Sequence, residues 1–404
     1  MKPRIPIEAK FKAREIVRAV CGSPLRVVFA LPTLHAGGAQ RVIATLARCL
    51  DKQKFHVTVL VGQMTGSLYD HVLPGDVDIL DLGTSRVRYA WPAAIRAIRR
   101  MRPDVVLTTT NELSILLCAA RRLLPDSTRL VVRPTIMLGA YLATLSGLDP
   151  RRLLYRKLFT SCDALVLQSP EMAADYEREI GAKRLARTRL VVIRNPVALG
   201  EISRSAGDTS ADTGYKREWI NLVSSGRLEH QKGFDIAIEA MARLDRPNAS
   251  LTILGSGSQE AELNKLAGTL GVADRVRLIG YKSNPYPFYR QANGFLLSSR
   301  FEGFPNVVLE SLACGTPVVS TPVAGLTALL KGIPGCQVSS STDPASLARA
   351  MREFIDGAMP RVELSAIAYF DAPLIARQYG DLFEEIVTKR EGSTRMRSEI
   401  DGDR

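Results

Sequence analysis

Two series of short apolar, β-branched runs, alternating with longer helical patterns, constrain this chain more than any other feature. The first series is Leu25–Leu31, Phe55–Val61, Val77–Leu82, Asp104–Leu107, Leu130–Val132, Ala164–Leu167 and Leu190–Ile193. Amphipathic stretches such as Gln40–Leu50 and Ile115–Leu124 lie between several of them. Strands that are apolar almost throughout need cover on both faces, which helices supply in a parallel sheet. The pattern stops at the turn signal Asn195-Pro196 and at Gly200–Gly214, whose Ser, Gly, Asp and Thr content reads as a linker or surface loop. A second series follows: Ile220–Ser224, Leu251–Leu254, Val276–Ile279, Gly294–Leu297 and Val318–Ser320. Helical patterns at Phe234–Leu244, Gln259–Leu270 and Pro305–Ala313 separate these. A last helical pattern, Pro373–Val387, precedes a polar tail, Lys389–Arg404, expected to be disordered. The chain therefore reads as two α/β domains, over residues 1–200 and 215–370, each a doubly wound parallel sheet. In such sheets ligands sit at the carboxyl ends of the strands, so two facing domains make a cleft.

Charge is unevenly placed. Of 54 basic and 41 acidic residues, 31 and 16 fall in residues 1–200, a net +15, whereas residues 201–404 carry 23 and 25, a net −2. The first half is expected to meet something anionic: a phosphorylated small molecule, an anionic lipid or a nucleic acid. Two basic segments stand out there. One is the cluster Arg96, Arg99, Arg100 and Arg102; the other sets Arg151, Arg152, Arg156 and Lys157 around Leu153, Leu154, Leu158 and Phe159. The second suits an anionic membrane surface, or is a solvated basic face. Aromatic residues make up 6% of the chain, with no interleaved aromatic and basic platform, which argues against nucleic acid.

The six cysteines form no C-x-x-C pair, and no Cys/His run has zinc-ligand spacing, so reduced, cytoplasmic thiols are expected. No run of about 18 apolar residues offers a membrane span. Residues 1–19 are basic but carry Glu8 and Glu15 and lack an unbroken apolar core, so they do not read as a signal peptide. Ile7, Phe11, Ile16 and Val17 could line one helix face there, either as an ordinary surface helix or as a membrane anchor.

Three glycine-bearing loops follow strands. The first, His35-Ala36-Gly37-Gly38-Ala39-Gln40-Arg41, lets backbone approach a ligand closely and opens a helix whose free N–H groups suit an anion. It is neither G-x-G-x-x-G nor a P-loop. The second runs Ser225–Gly233. Its Arg227 and Lys232 could converge on a diphosphate, or be a solvated charged loop; Gly226 and the nearby Ser256-Gly257 belong to the same sheet edge. The third, Ser298–Glu310, carries Glu302 on a loop and Glu310 about one turn into a helix begun by Pro305. Helix-start N–H groups at 304–307 point to the same place. A buried Glu310 needs partners, which the two hydroxyls of a ribose would offer. Otherwise it caps or pairs within the fold.

Glu302 and Glu310 resemble the E-x7-E motif of retaining glycosyltransferases of family 4, "group 1" enzymes of the GT-B fold. Gly-Arg-Leu-x-x-Gln-Lys-Gly at 226–233, Gly-x-Gly at 255–257 and Ala313-Cys314-Gly315-Thr316-Pro317-Val318-Val319 resemble that family in the same order, and Gly37–Arg41 and Arg194-Asn195-Pro196 do so more loosely. The resemblance implies two Rossmann-like domains about a cleft. The N-terminal domain would bind the acceptor, with the last helix, about 373–388, packing back on it, and the C-terminal domain would bind the nucleotide sugar. Arg227 and Lys232 would hold the diphosphate and Glu310 the ribose. Glu302 with Gly303, Phe304, Pro305 and Asn306 would contact the donor sugar, while Gly37 and Gly38 would close over the phosphates from the other domain. Gly226 and Gly257 would border the donor.

No metal or other cofactor is implied, and the two D-x-D triplets, at 76–78 and 401–403, lie away from these loops. The implied reaction moves a hexose or N-acetylhexosamine, from a UDP-sugar by family preference, to a glycan or lipid-linked hydroxyl in polysaccharide, lipopolysaccharide or glycoconjugate synthesis. The protein would be cytoplasmic and peripheral to the inner face of the membrane. Alternatives are another GT-B enzyme, such as a sugar-nucleotide epimerase, or a non-catalytic nucleotide-sugar sensor. One departure is that many relatives carry a histidine after the strand equivalent to Leu130–Val132. This chain has Arg133-Pro134-Thr135 there, leaving Arg133, Thr135 or His35 as substitutes.

Overall fold

The computed structural model describes residues 23–402 apart from 35–36, 64–72, 74, 76, 85–86, 209–211 and 324. The readings at residues 1–19, His35, Asp76 and Asp403 lie outside the described residues.

Seven parallel strands form the first sheet: β1 (Leu25–Thr33), β2 (Phe55–Gln63), β3 (Asp78–Asp81), β4 (Val105–Thr108), β5 (Arg129–Val132), β6 (Ala164–Leu167) and β7 (Arg189–Val192). Their order, β3-β2-β1-β4-β5-β6-β7, reverses direction beside β1, which is the doubly wound pattern. Six more form the second: β8 (Ile220–Ser225), β9 (Ala249–Leu254), β10 (Val276–Leu278), β11 (Gly294–Leu297), β12 (Val318–Ser320) and β13 (Gln337–Val338), in the order β10-β9-β8-β11-β12-β13. This is the GT-B architecture: two Rossmann-like parallel sheets, each flanked by helices.

The apolar runs build these sheets because alternate side chains serve two cores. In β1, Val27, Phe29 and Leu31 enter one core while Val28 and Ala30 enter the other. In the second sheet, Val223, Phe295, Leu297 and Val318 face one helical layer, and Leu222, Leu296 and Val319 face the opposite one. The C-terminal helix, Ala372–Gly402, sends Ile375, Ala376, Tyr379, Leu382 and Phe383 into the core of the first sheet. The chain thus crosses between the lobes twice, and the crossings touch. Val197 N donates to Phe370 O at 2.8 Å, and Ala372 N donates to Val197 O at 2.9 Å.

Three sequence readings change. Half of the 200–214 "linker" is helix, Leu199–Ala206, because Ile202 and Ala206, four residues apart, drop one face into the second lobe's core. The "polar tail" continues the C-terminal helix to Gly402, since it holds no proline and its Lys, Arg, Glu and Met favour helix. The basic amphipathic segment is helix Arg151–Leu158, but Phe159 is fully buried, Leu158 packs against the core, and Arg151 and Arg156 pair with Asp149 and Glu179. Leu148, Leu153 and Leu154 remain exposed, Leu148 almost completely at 98%. Among the described residues no helix is long and apolar enough to cross a membrane.

Candidate active site

Strands β9, β8 and β11 are neighbours, so the loops leaving their carboxyl ends share one edge. The loop after β8 lies tight against the loop after β9, because a side chain at Gly257 would put its Cβ 2.4 Å from Leu228 O. Glu229 accepts from Ser258 N and Oγ at 3.2 and 2.9 Å, which closes the same junction. The loop after β11 is drawn in by Arg300. Its backbone N donates to Gln231 O, and its guanidinium donates to His230 O and to both oxygens of Asp235. Burial alone would raise the Asp235 pKa; the Arg300 guanidinium overrides it and holds the carboxyl below its ordinary value.

Within this edge Lys232 Nζ reaches Glu302 Oε1 at 2.5 Å. Ser299 Oγ donates to the same oxygen at 3.0 Å, and Gln231 Nε2 lies 3.4 Å from Oε2. Glu302 is 8% exposed. The Lys232 stem lies beside Gly226, where a Cβ would be 3.4 Å away. Arg227, on the same loop, is exposed. Pro305 caps the helix Asn306–Ala313 with extended backbone (φ −76°, ψ 112°), placing Glu310 in the helix, 3% exposed. The Phe304 side chain turns inward to the core, its ring 5.8 Å from that of Phe370, so this residue offers the cleft its backbone.

The N-terminal lobe closes onto this edge. Gly303 is required at the junction, since a Cβ there would sit 2.3 Å from Thr135 O. Gly37 caps the helix Gly38–Cys49 with extended backbone, and Gly38 O accepts from Asn306 Nδ2 at 2.9 Å. Arg41, on that helix, donates through Nη1 to Glu310 Oε1 across the cleft. The other oxygen, Glu310 Oε2, is buried and finds no partner among the described residues. Cleft-crossing contacts thus join residues 268 and 269 positions apart in sequence.

The structure therefore brings Gly226, Lys232, Glu302 and Gly303 together, and separately joins Gly38 to Asn306 and Glu310 to Arg41. Two residues missed as site members are Arg41, paired with Glu310, and Asn195, whose Nδ2 donates to Phe304 O and Asn306 Oδ1. Both stood in segments already singled out, and a cation on the helix after a glycine loop was the available signal. Among the candidates for the histidine's place, Arg133 is 2% exposed and bonded to Thr109 and Asn195, so it is not an open cleft side chain, and the Thr135 carbonyl lies against Gly303. Asp78 lies in β3 and pairs with His56 at 3.1 Å. Among the described residues no group of three or more His, Cys, Asp or Glu could hold a metal ion.

The family described as "Glycosyl transferases group 1" matches residues 211–369, and "Glycosyltransferase Family 4" matches residues 36–201. The lipopolysaccharide core biosynthesis glycosyltransferase LpsE of Rhizobium meliloti is 31% identical over 327 residues, 79% of this chain and 86% of that protein. An N-acetylgalactosamine-N,N'-diacetylbacillosaminyl-diphospho-undecaprenol 4-alpha-N-acetylgalactosaminyltransferase of Campylobacter jejuni is 28% identical, covering 72% of this chain and 78% of its own. Among solved structures, sucrose-phosphate synthase of Thermosynechococcus elongatus superposes with a TM-score of 0.75 at 18% identity, over 90% of this chain and 100% of that one. Anabaena HepE in complex with UDP and glucose superposes with a TM-score of 0.72 at 15% identity, over 89% and 100%.

Proposed function

We propose, because the chain belongs to the group 1, family 4 glycosyltransferases, that it moves a hexose or N-acetylhexosamine from a nucleotide-diphosphate sugar, UDP-linked by preference, to a hydroxyl of a glycan or lipid-linked acceptor. The anomeric configuration is retained, and no metal is required. Relatives named for lipopolysaccharide core assembly and for a diphospho-undecaprenol acceptor support a place in polysaccharide, lipopolysaccharide or glycoconjugate synthesis.

One observation carries this reading. A lysine, a carboxylate helix start and a glycine-lined closure from the other lobe meet at the carboxyl ends of β8 and β11. The lobe of residues 215–370 binds the donor. Glu310 Oε2 accepts a ribose hydroxyl. Lys232 and Arg227 receive the diphosphate; the three N–H bonds of Lys232 allow it to keep Glu302 while doing so. Glu302, with the turn 303–306, faces the donor sugar, and Gly37 and Gly38 bring backbone over the phosphates. As the anomeric C–O bond breaks, charge grows on the departing diphosphate, and the two cations with the helix-start N–H groups stabilise it. A departing phosphate oxygen takes the acceptor proton on the same face, so no enzymic nucleophile is needed.

The lobe of residues 1–200, joined by the C-terminal helix, receives the acceptor. Exposed Leu148, Leu153 and Leu154 beside Arg151, Arg152 and Lys157 support peripheral contact with an anionic membrane surface. Flotation with phosphatidylglycerol vesicles should carry the protein upward, and recovery in the pellet fraction alone would remove the membrane contact. The function itself is tested by thermal shift with UDP, GDP, UDP-glucose, UDP-galactose, UDP-N-acetylglucosamine and GDP-mannose. A nucleotide sugar and its nucleoside diphosphate should raise the Tm, because a ligand at about 100 times its Kd stabilises by about 2.7 kcal/mol. A flat panel at millimolar ligand would refute the donor assignment. Nucleotide-sugar binding with no sugar transfer to any of a set of acceptors would favour the sensor or epimerase alternatives.

A further inference from the structure

The most unusual buried group outside the donor loops is Arg133. It leaves the end of β5 and is 2% exposed, yet its hydrogen-bond acceptors are neutral. Nη1 donates to Thr109 Oγ1 at 3.0 Å, and Nη2 donates to Asn195 Oδ1. Nε is buried and finds no partner among the described residues. A guanidinium held this way is expensive to bury.

The neighbouring contacts give it a use. Asn195, 3% exposed, sits two residues before Val197, where the two interlobe crossings touch. Its Nδ2 donates both hydrogens, to Phe304 O at 3.0 Å and to Asn306 Oδ1 at 2.6 Å. Asn306 Nδ2 then donates to Gly38 O at 2.9 Å. The chain of bonds therefore runs from the first sheet through the crossover to the second lobe's 304–306 turn and back to the glycine loop.

An arginine can only donate, whereas each asparagine amide both donates and accepts. Arg133 therefore forces the Asn195 oxygen inward and its NH2 toward the turn. That in turn points the Asn306 oxygen at Asn195 and its NH2 at Gly38. One buried cation sets the polarity of every bond in the series.

We propose that Arg133, acting through Asn195, is a positioning residue for the Phe304–Asn306 turn and ties that turn's geometry to closure of the lobes. The inference depends on the reading of residues 303–306 as the donor-sugar contact. It does not make Arg133 a substrate ligand.

The decisive variant is Asn195→Asp. The carboxylate keeps the shape and gains an ion pair with Arg133, so the fold is retained. Its inward-facing bond survives, but it can no longer donate to Phe304 O and Asn306 Oδ1. Expected are an undiminished Tm, faster hydrogen–deuterium exchange confined to peptides covering 37–41 and 300–308, and UDP-sugar turnover lowered about tenfold or more. UDP affinity should change little. Arg133→Lys, which still donates, should be milder than the similarly sized but non-donating Arg133→Met; a packing role alone predicts the reverse order. Unchanged exchange at 300–308 in Asn195→Asp, or Arg133→Met milder than Arg133→Lys, would overturn the proposal. Glu310→Ala serves as the separate control. Retained UDP affinity there defeats the donor-site reading itself, whereas lost affinity beside an unaffected Asn195→Asp defeats only this inference.

Discussion

Glu310→Ala should lower UDP affinity about 100-fold while leaving the protein folded. Glu310 is buried within its helix, and one of its oxygens is unengaged among the described residues, which leaves an acceptor for the proposed ribose hydroxyl. Hydrogen bonds to a charged carboxylate are each worth about 1.5–3 kcal/mol, and each 1.4 kcal/mol or so is tenfold in affinity. Because Arg41 holds the other oxygen, the same substitution also removes a cross-lobe ion pair. Arg41→Ala separates the two effects, since it breaks the ion pair and keeps the carboxylate. Titration calorimetry with UDP should show Arg41→Ala losing less than about tenfold. Equal losses in the two variants would mean that closure, not ribose contact, accounts for the effect.

Lys232→Ala should reduce turnover of the preferred nucleotide sugar by about 100- to 1000-fold, the equivalent of about 2.7–4 kcal/mol for a lost transition-state donor. It should also lower the Tm. Lys232 pairs with Glu302, whose side chain is 9% exposed, and removing one member of a buried pair strands the other charge. Ser299 and Gln231 still bond the carboxylate, so the loss of stability should fall below the roughly 3–5 kcal/mol typical of a fully buried pair. Arg227→Ala makes the contrast. Arg227 is exposed, so its removal should cut turnover comparably while leaving the Tm unchanged. Turnover within threefold of wild type in Lys232→Ala would contradict its role at the diphosphate, on a scale where one hydrogen bond is worth about tenfold.

Much of the fold was legible because the strands announce themselves. Runs such as Val27–Leu31, Val59–Val61 and Ala164–Leu167 are apolar on both faces, and with helical patterns between them a helix-covered parallel sheet satisfies that. Strand β13 was not legible: two half-buried residues, Gln337 and Val338, carry no periodicity. The helix at 199–206 was hidden by its serines and glycine, because only Ile202 and Ala206 are buried in the core, with Leu199 packed at its edge. The loops of the second lobe were legible from local spacing, since Lys232, Glu302 and Glu310 sit in short motifs that keep their geometry wherever the lobes lie. What joins the lobes was not. The pairing of Arg41 with Glu310, of Gly38 with Asn306 and of Gly303 with the Thr135 carbonyl depends on a rigid-body fit between two sheets. Arg133 shows the same limit. Its sequence position suggested a cleft side chain in place of a histidine, and only the packing around Thr109 and Asn195 shows that it lies behind the site.

The most direct measurement is a crystal structure of the protein with UDP bound. The diphosphate should lie within hydrogen-bonding distance of Arg227 and Lys232, with the ribose on Glu310 Oε2 and the Gly37-Gly38 backbone above the phosphates. UDP bound elsewhere, or bound in the cleft with its ribose away from Glu310, would contradict the account.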